Sequence, residues 1–326
     1  MLSLHTNSAA LSAQNSISRT QSALSTSQTR LSTGFRVNSA MDDAAGLQIA
    51  TRLKAQTSGM AMAMRNTQNS ISLLQTGEGA LDETTTILTR MKDLATQSAD
   101  GASTTTDRTA MQAEYNALTK ELSNIMQNTS FGGSVLFSTK LDSSPTPAPS
   151  GKFQNTSLTF QIGASSSEKM DGSVSTQVTS MLNAIGNAAV AFDGGDGTNV
   201  GVGGTNAPAN DSAGTPIVAG SEISDASGVS DGSFNANATI DMLSKAIDSV
   251  GSLRSAMGAI ANRLDHVYNN LSNISTNTAA ATGRIMDTDF AAESSNMTSS
   301  QMLLQAGTAM LKQSNSTSSL VMSLLQ

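Results

Sequence analysis

The sequence predicts a mainly α-helical protein in which two long helical flanks, forming coiled coils, enclose an irregular middle. All five prolines lie between positions 145 and 216, so both flanks lack the strongest helix breaker. Apolar residues recur every seven positions in both flanks, which is typical of helices that supercoil around partners. Aromatic residues make up only 3% of the chain and tryptophan is absent. These features favour thin aliphatic seams over one large aromatic core.

The seven-residue spacing appears in several separate runs. In the stretch 240–274 two neighbouring registers persist together, which favours a coiled coil over an ordinary amphipathic helix of a monomeric bundle. The runs are Ala10, Ile17, Leu24 and Leu31; Leu74, Leu81, Leu88 and Ala95; Met111, Leu118 and Ile125, with Tyr115 and Leu122 beside them; Leu243, Val250, Met257, Leu264 and Leu271; Leu253, Ile260, Val267 and Ile274; and Met297, Leu304, Leu311 and Leu325.

The outermost segments carry little apolar surface. Around their apolar positions they are crowded with Ser, Thr, Asn and Gln, which are modest helix formers. A lone helix over residues 3–33, about 45 Å long at ~1.5 Å per residue, buries too little to order itself. Such a stripe needs a partner surface, and the opposite end of the chain offers one of the same character.

The middle of the chain combines ordered and irregular stretches. In residues 157–163 every second residue is apolar (Leu158, Phe160 and Ile162), which predicts a half-buried strand. We predict a short helix over residues 175–189. The high glycine content of residues 192–211 predicts a loop there.

Acidic residues mark two expected helix starts. Ser39 stands three residues before Asp42, which is the spacing of a capping box, and Asp42 and Asp43 would favour the helix dipole of a first turn. Asp287 and Asp289 form a similar cluster near the other end of the chain. Both flanks therefore break their helices at matching distances from the ends, and Gly34 suits the first break.

Catalysis, metal binding and nucleic-acid binding find little support in the residues. Ser230 matches G-x-S-x-G, but no apolar strand precedes it and His266 lies in a heptad helix, so a hydrolase is a weak alternative. The net charge of −7 argues against nucleic acid, and the absence of cysteine removes thiolate chemistry and cysteine-based zinc sites. Neither a membrane span nor a cofactor motif is found, and we expect no cofactor. By residues alone the chain would be taken as cytosolic.

Several long motifs, in order, resemble the bacterial flagellins. "LSTGFRVNSAMDDAAGLQIATRL" and "ISLLQTGEGALDE" are similar to the family's N-terminal region. "GAIANRLDHVYNNLSNI", "RIMDTDFAAESSNM" and "QAGTAMLKQSN" are similar to its C-terminal region. The resemblance covers roughly residues 1–140 and 236–326. Between these ranges, only the stretch "FQIGA" is similar to the family.

The resemblance implies three regions. Residues 1–43 with 286–326 would form a coiled coil lining the inner tube of a filament. Residues 44–140 with 236–285 would form a helical rod, and 141–235 a small, outward-facing variable region containing β-hairpins. The segment 153–190 either belongs to that region or completes the rod. The inner-tube packing residues would be Ile17, Leu24, Leu31, Leu304, Leu311 and Leu325, and the joint between tube and rod would hold Ser39, Asp42, Asp43, Asp287 and Asp289.

The resemblance also implies a function. The chain would self-assemble as the structural subunit of the flagellar filament for swimming or swarming, with the hook–filament junction protein of the flagellum as the alternative. It would be extracellular, exported by the flagellar secretion system without a cleaved signal peptide, and not membrane-inserted. Implied partners are copies of itself, the hook–filament junction protein, the filament cap and an export chaperone.

One further implication concerns recognition by a host. Residues 89–100 resemble the family segment contacted by the innate immune receptor for flagellin, with Arg90, Leu94 and Glu114 at matching positions. Lys92 and Asp93 replace the commoner Arg and Glu. The alternative is that these residues serve axial packing between subunits, which we expect to be their primary role.

Overall fold

The computed structural model describes residues 7–138, 151–189, 192, 222–224 and 234–324. These residues form six α-helices and two short hairpins, which confirms a mainly α protein. The helices are α1 Ser8–Thr33, α2 Ala44–Ser98, α3 Thr105–Asn128, α4 Ser175–Ala188, α5 Phe234–Met286 and α6 Phe290–Leu324. In the first hairpin β1 Ser130–Phe131 pairs antiparallel with β2 Ser134–Val135, and in the second β3 Thr159–Gln161 pairs antiparallel with β4 Lys169–Asp171.

Local sequence explains where these elements begin and end. At the start of α1 the side chain of Asn7 accepts a hydrogen bond from the Ala10 N–H, and the helix ends at Gly34 with φ of 76°. A left-handed residue at this position favours glycine. Thr104 and Asp107 form a reciprocal capping box at the start of α3. The β1–β2 turn consists of Gly132 and Gly133, both with positive φ, as a two-residue hairpin turn requires.

The chain divides into two compact units, which we call the terminal unit (residues 1–59 and 273–326) and the central unit (residues 60–272). Because α2 and α5 are long, each contributes residues to both units. Among the described residues, no helix combines the length and apolar character needed to cross a membrane.

The central unit has a well-buried aliphatic core. Most predicted heptad positions of α2 and α5 lie in it: Leu74, Leu81, Leu88, Ala95, Leu243, Val250, Met257 and Leu264 are each at most 2% exposed. Towards the end of α5, Leu271 belongs to a separate small cluster with Met60 and Ala63, and Ile274 is 38% exposed. The positions predicted for α3 all contact this core. Met111 is 8% exposed and Tyr115 and Leu122 are fully buried, whereas Leu118 and Ile125 are half-buried and pack against the core.

Residues 151–189 belong to the same core as α2, α3 and α5. Phe160 of β3 is 8% exposed, and Val178, Met181, Leu182 and Ile185 of α4 are fully buried in that core. This confirms the strand and the helix predicted there. Phe153 lies so close to α2 that a Cβ on Gly77 would be 2.6 Å from its ring. The glycine therefore makes room for an aromatic side chain from the middle of the sequence.

Candidate assembly surface

Within the terminal unit, α1 and α6 pack against each other as an antiparallel pair. Near the start of α1, the Asn7 side-chain amide donates to the Ser314 carbonyl at 3.3 Å. Near its end, Arg30 faces Glu293 at 3.8 Å. Between them, Ile17 lies against Gly307, where an added Cβ would be 2.9 Å from the Ile17 Cγ1. These contacts fix the register of the two helices. They also show that the helices are antiparallel, because residue numbers rise along α1 while those of the α6 partners fall.

The contact between the two helices is a seam of alternating large and small residues. Ile17, Leu24 and Leu31 are half-buried and share a heptad position with one another, as do Leu304 and Leu311 of α6. The second heptad position is small on both helices: Ala13, Thr20 and Ser27 on α1, and Ser300, Gly307 and Ser314 on α6. With Ile17 set against Gly307, the antiparallel register places large residues of one helix opposite small residues of the other. Leu325 lies outside the described residues.

This seam buries little apolar surface. Among the side chains described on α1 and α6, the two that are buried, Ser27 and Glu293, are polar, and every leucine described in the seam is only half-buried. Burying a leucine fully contributes about 1.5–3 kcal/mol, and a half-buried one correspondingly less. The pair is therefore much less stable than the core of the central unit.

The chain passes between α1 and α2, and between α5 and α6, through a shared joint. The two connections hydrogen-bond to each other: the Arg36 N–H donates to the Met286 carbonyl at 2.6 Å, and the Thr288 N–H donates to the Gly34 carbonyl at 3.0 Å. Phe35 and Asp287 form the β-bridge between these bonds. The joint thus fixes where both breaks occur.

Aspartates cap the two helices that leave the joint. Asp43 Oδ1 accepts from the Gly46 N–H at 2.8 Å at the start of α2. Asp289 Oδ1 accepts from the Ala291 N–H at 2.9 Å and from the Ala292 N–H at 3.2 Å at the start of α6. Both carboxylates satisfy backbone donors that lack an intrahelical partner.

The other three predicted joint residues have different positions. Asp42 accepts from the Ser39 N–H at 2.8 Å, from the Asn38 N–H at 3.1 Å and from the Ser39 hydroxyl at 3.1 Å. The Ser39–Asp42 box therefore closes the turn before α2 and does not cap the helix, because the helix begins two residues later. Hydrogen bonds from Ser39 and Asn38 lower the pKa of the Asp42 carboxyl. Asp287 contributes its backbone to the β-bridge.

A second apolar stripe lies on the exposed side of α6, and its Leu303 borders a groove with Ser16 and Ala23 of α1. Met302 is 59% exposed, Leu303 62% and Met310 69%. Leu303 and Met310 are one heptad apart and so lie on the same side of the helix. On α1, Leu11 is 57% exposed. Large apolar side chains grouped this way are typical of surfaces that bind another molecule.

The predicted contact residues of the central unit separate into two kinds. Arg90 and Glu114 lie on the surface and join α2 to α3, with Nη2 and Oε1 2.6 Å apart. Leu94 is only 2% exposed and packs in the core. Its assignment to a contact surface is therefore corrected, because the side chain is not available to a partner in the single chain.

Several residues of this surface were missed by the sequence reasoning. Gly307, Ser27 and Glu293 shape the seam, and Phe35 and Thr288 form the joint. A signal for the seam was present, since small residues recur every seven positions beside the large ones. The joint had no such signal, because its backbone hydrogen bonds connect segments far apart in the chain and do not depend on side-chain identity.

The part of the chain that the structure describes holds no group of three or more residues able to bind a metal ion. Ser230, the residue of the hydrolase alternative, lies outside the described residues. A thin helical seam, an uncovered apolar stripe and a capped joint are typical of a structural protein that associates with other chains.

Comparison with known proteins agrees with that class. The family model for the bacterial flagellin N-terminal helical region matches residues 4–142, and the model for the C-terminal helical region matches residues 240–325. Flagellin B of Vibrio anguillarum is 35% identical, with 99% of each chain covered. Polar flagellin C of Vibrio parahaemolyticus serotype O3:K6 is also 35% identical over the whole of both chains. The chain belongs to the bacterial flagellin family.

A solved structure shares the fold at lower identity. A chain described as a putative flagellar hook-associated protein from Vibrio parahaemolyticus gives a TM-score of 0.51 at 17% identity, covering 76% of this chain and all of that one. The full-length likeness to flagellins carries the functional conclusion: this protein is a structural subunit of the bacterial flagellar filament, outside the cell. The hook–filament junction alternative is less supported, and the family is structural, which leaves the Ser230 hydrolase without support.

Proposed function

We propose that this subunit couples folding to polymerisation, with α1 and α6 becoming stably ordered only when neighbouring copies cover them. The thin seam supports this proposal, since it buries no apolar side chain fully among those described. The exposed stripe of Met302, Leu303 and Met310 supplies the further apolar surface that a neighbour would bury. Contacts of this kind repeat head-to-tail without closing, and so build a helical filament.

Deletion of residues 297–326 tests the proposal. The central unit should remain folded by circular dichroism and thermal melting, because its core contains none of these residues. Salt-induced polymerisation, followed by sedimentation and electron microscopy, should be lost. Filaments of normal appearance from the truncated protein would refute the proposal.

A paired set of full-length variants separates the seam from a general loss of helix. Leu304→Ser with Leu311→Ser removes two half-buried leucines from the seam, whereas Gln305→Ser with Lys312→Ser changes exposed neighbours on the same helix. The first pair should abolish polymerisation and the second should leave it nearly unchanged. Equal effects of the two pairs would contradict a role for the seam.

The remaining partners follow from family membership. We propose export through the flagellar secretion channel without a cleaved signal peptide, with an export chaperone covering the C-terminal helix until assembly. The hook–filament junction protein and the filament cap would contact the two ends of the growing filament. Finding unmodified N-terminal residues in secreted protein by mass spectrometry tests export without cleavage, and a shortened N-terminus would refute it.

The surface pair of Arg90 and Glu114 supports a role in contacts outside the subunit. We propose axial packing between subunits as its primary role and recognition by the host flagellin receptor as a second. Both side chains are about half exposed, so their salt bridge contributes little stability to the single chain. Arg90→Ala should lower filament stability and receptor binding but not the melting temperature of the monomer; a lowered melting temperature would point to a purely structural role.

A further inference from the structure

Two methionines lie on the exposed stripe of α6. Met302 and Met310 are 59% and 69% exposed, while Met91, Met126 and Met181 of the central unit are fully buried. A thioether reacts with peroxide according to its access to solvent, so the stripe methionines are open to oxidation where the core methionines are protected. The chain has 17 methionines and no cysteine. The oxidisable sulfur atoms of the chain are therefore those of its methionines.

We propose that Met302 and Met310 form an oxidation site at which peroxide blocks assembly of the free subunit. The proposal rests on the assembly function above, in which a neighbouring copy covers this stripe. In each reaction the sulfur lone pair attacks one oxygen of hydrogen peroxide, the O–O bond breaks and water is released. The sulfur loses two electrons to become a sulfoxide, and the peroxide is reduced to water.

The sulfoxide changes the surface that must be buried. It turns a flexible apolar side chain into a polar one, and a polar group buried without a hydrogen-bond partner opposes association. Leu303, one heptad from Met310, stays apolar, so oxidation makes two of the three side chains of the stripe polar. Once a filament has formed, neighbouring subunits cover the same sulfur atoms. The site therefore acts on the free subunit and not on the assembled one.

The experiment treats full-length monomer with hydrogen peroxide, removes the peroxide, and measures the critical concentration for salt-induced polymerisation. We expect a rise of roughly tenfold or more, since each side chain loses most of its burial contribution. Peptide mass spectrometry should locate the added oxygen on Met302 and Met310 of the monomer but not of preformed filaments. Methionine sulfoxide reductase should restore assembly. Unchanged polymerisation of a monomer oxidised at both residues would overturn the inference.

Two double variants make the assignment specific. Met302→Leu with Met310→Leu keeps size and apolar character, so it should assemble like the wild type and resist peroxide. Met302→Gln with Met310→Gln should impair assembly without any oxidant. Met41→Leu is the matched control, because Met41 is 96% exposed but lies in the joint turn, and this variant should stay sensitive. A leucine variant that peroxide still blocks would overturn the inference, whereas untreated wild type that never polymerises would refute the assembly function itself.

Discussion

Replacing Gly307 with valine should disrupt the seam between α1 and α6. A Cβ at this position would lie 2.9 Å from the Ile17 Cγ1, closer than side chains tolerate, and valine adds two methyl groups beyond it. Overpacking of this kind costs about 1–3 kcal/mol. Removing a glycine from a helix interior offsets about 0.4 kcal/mol of that cost, because valine is itself a modest helix former. The net cost is therefore about 0.6–2.6 kcal/mol.

That cost should appear in assembly. If the seam forms only in the filament, the critical concentration for polymerisation should rise about 3- to 70-fold, at about 1.4 kcal/mol for each factor of ten. Sedimentation of the polymer at a series of protein concentrations measures it. Gly79→Val is the control, because a Cβ there meets nothing within 4 Å, and it should leave the critical concentration close to that of the wild type.

Replacing Ile17, the residue opposite position 307, with alanine should partly restore the assembly of the Gly307→Val variant. With Ile17→Ala the space beside residue 307 opens, so the double variant should lose less than the two single variants added together. Such coupling would show that the two side chains meet in the filament as they do in the single chain. Gly307→Val that assembles like the wild type, or additive effects in the cycle, would refute this register of the seam.

Other parts of the fold give further predictions. Asp289→Ala should destabilise the first turn of α6 by about 1 kcal/mol, since two backbone N–H groups lose their acceptor, and hydrogen exchange at that turn measures it. Burial, reinforced by the nearby Glu222 charge, raises the pKa of Tyr115 well above its usual value of 10.0. The unfolded chain therefore releases this proton first, and stability of the central unit should fall as the pH rises above about 10. Tyr115→Phe should flatten that fall in urea unfolding while costing about 1–3 kcal/mol at neutral pH, because the Ala188 carbonyl loses its 2.6 Å hydrogen bond.

Much of the helical architecture could be predicted because heptad spacing and proline distribution are local properties of the chain. The core positions of α2 and α5 follow directly from them. In α3 the spacing did not predict how deeply each residue is buried, because a helix packed against several elements buries a broad face. Tyr115 and Leu122 are fully buried, as is Met126, which the spacing did not include, whereas Leu118 and Ile125 are only half-buried.

The site was harder to predict because it depends on contacts between distant segments. Spacing alone could not distinguish Asp43, which caps α2, from Asp42, which closes the turn before it. The buried polar contact in which Gln112 donates to Glu222 at 2.7 Å joins residues 110 apart, and neither carries a local signal. Leu94 matched a surface motif by sequence, yet its helical position directs it into the core.

The claim that assembly stabilises the terminal helices is tested most directly by amide hydrogen exchange on dilute monomer and on filament. We expect amides of Ser8–Thr33 and Phe290–Leu324 to exchange within seconds in the monomer and to be strongly protected in the filament. The amides of Leu81 and Val250, which lie in the core of the central unit, should stay protected in both. Strong protection of both terminal helices in the dilute monomer would contradict the account.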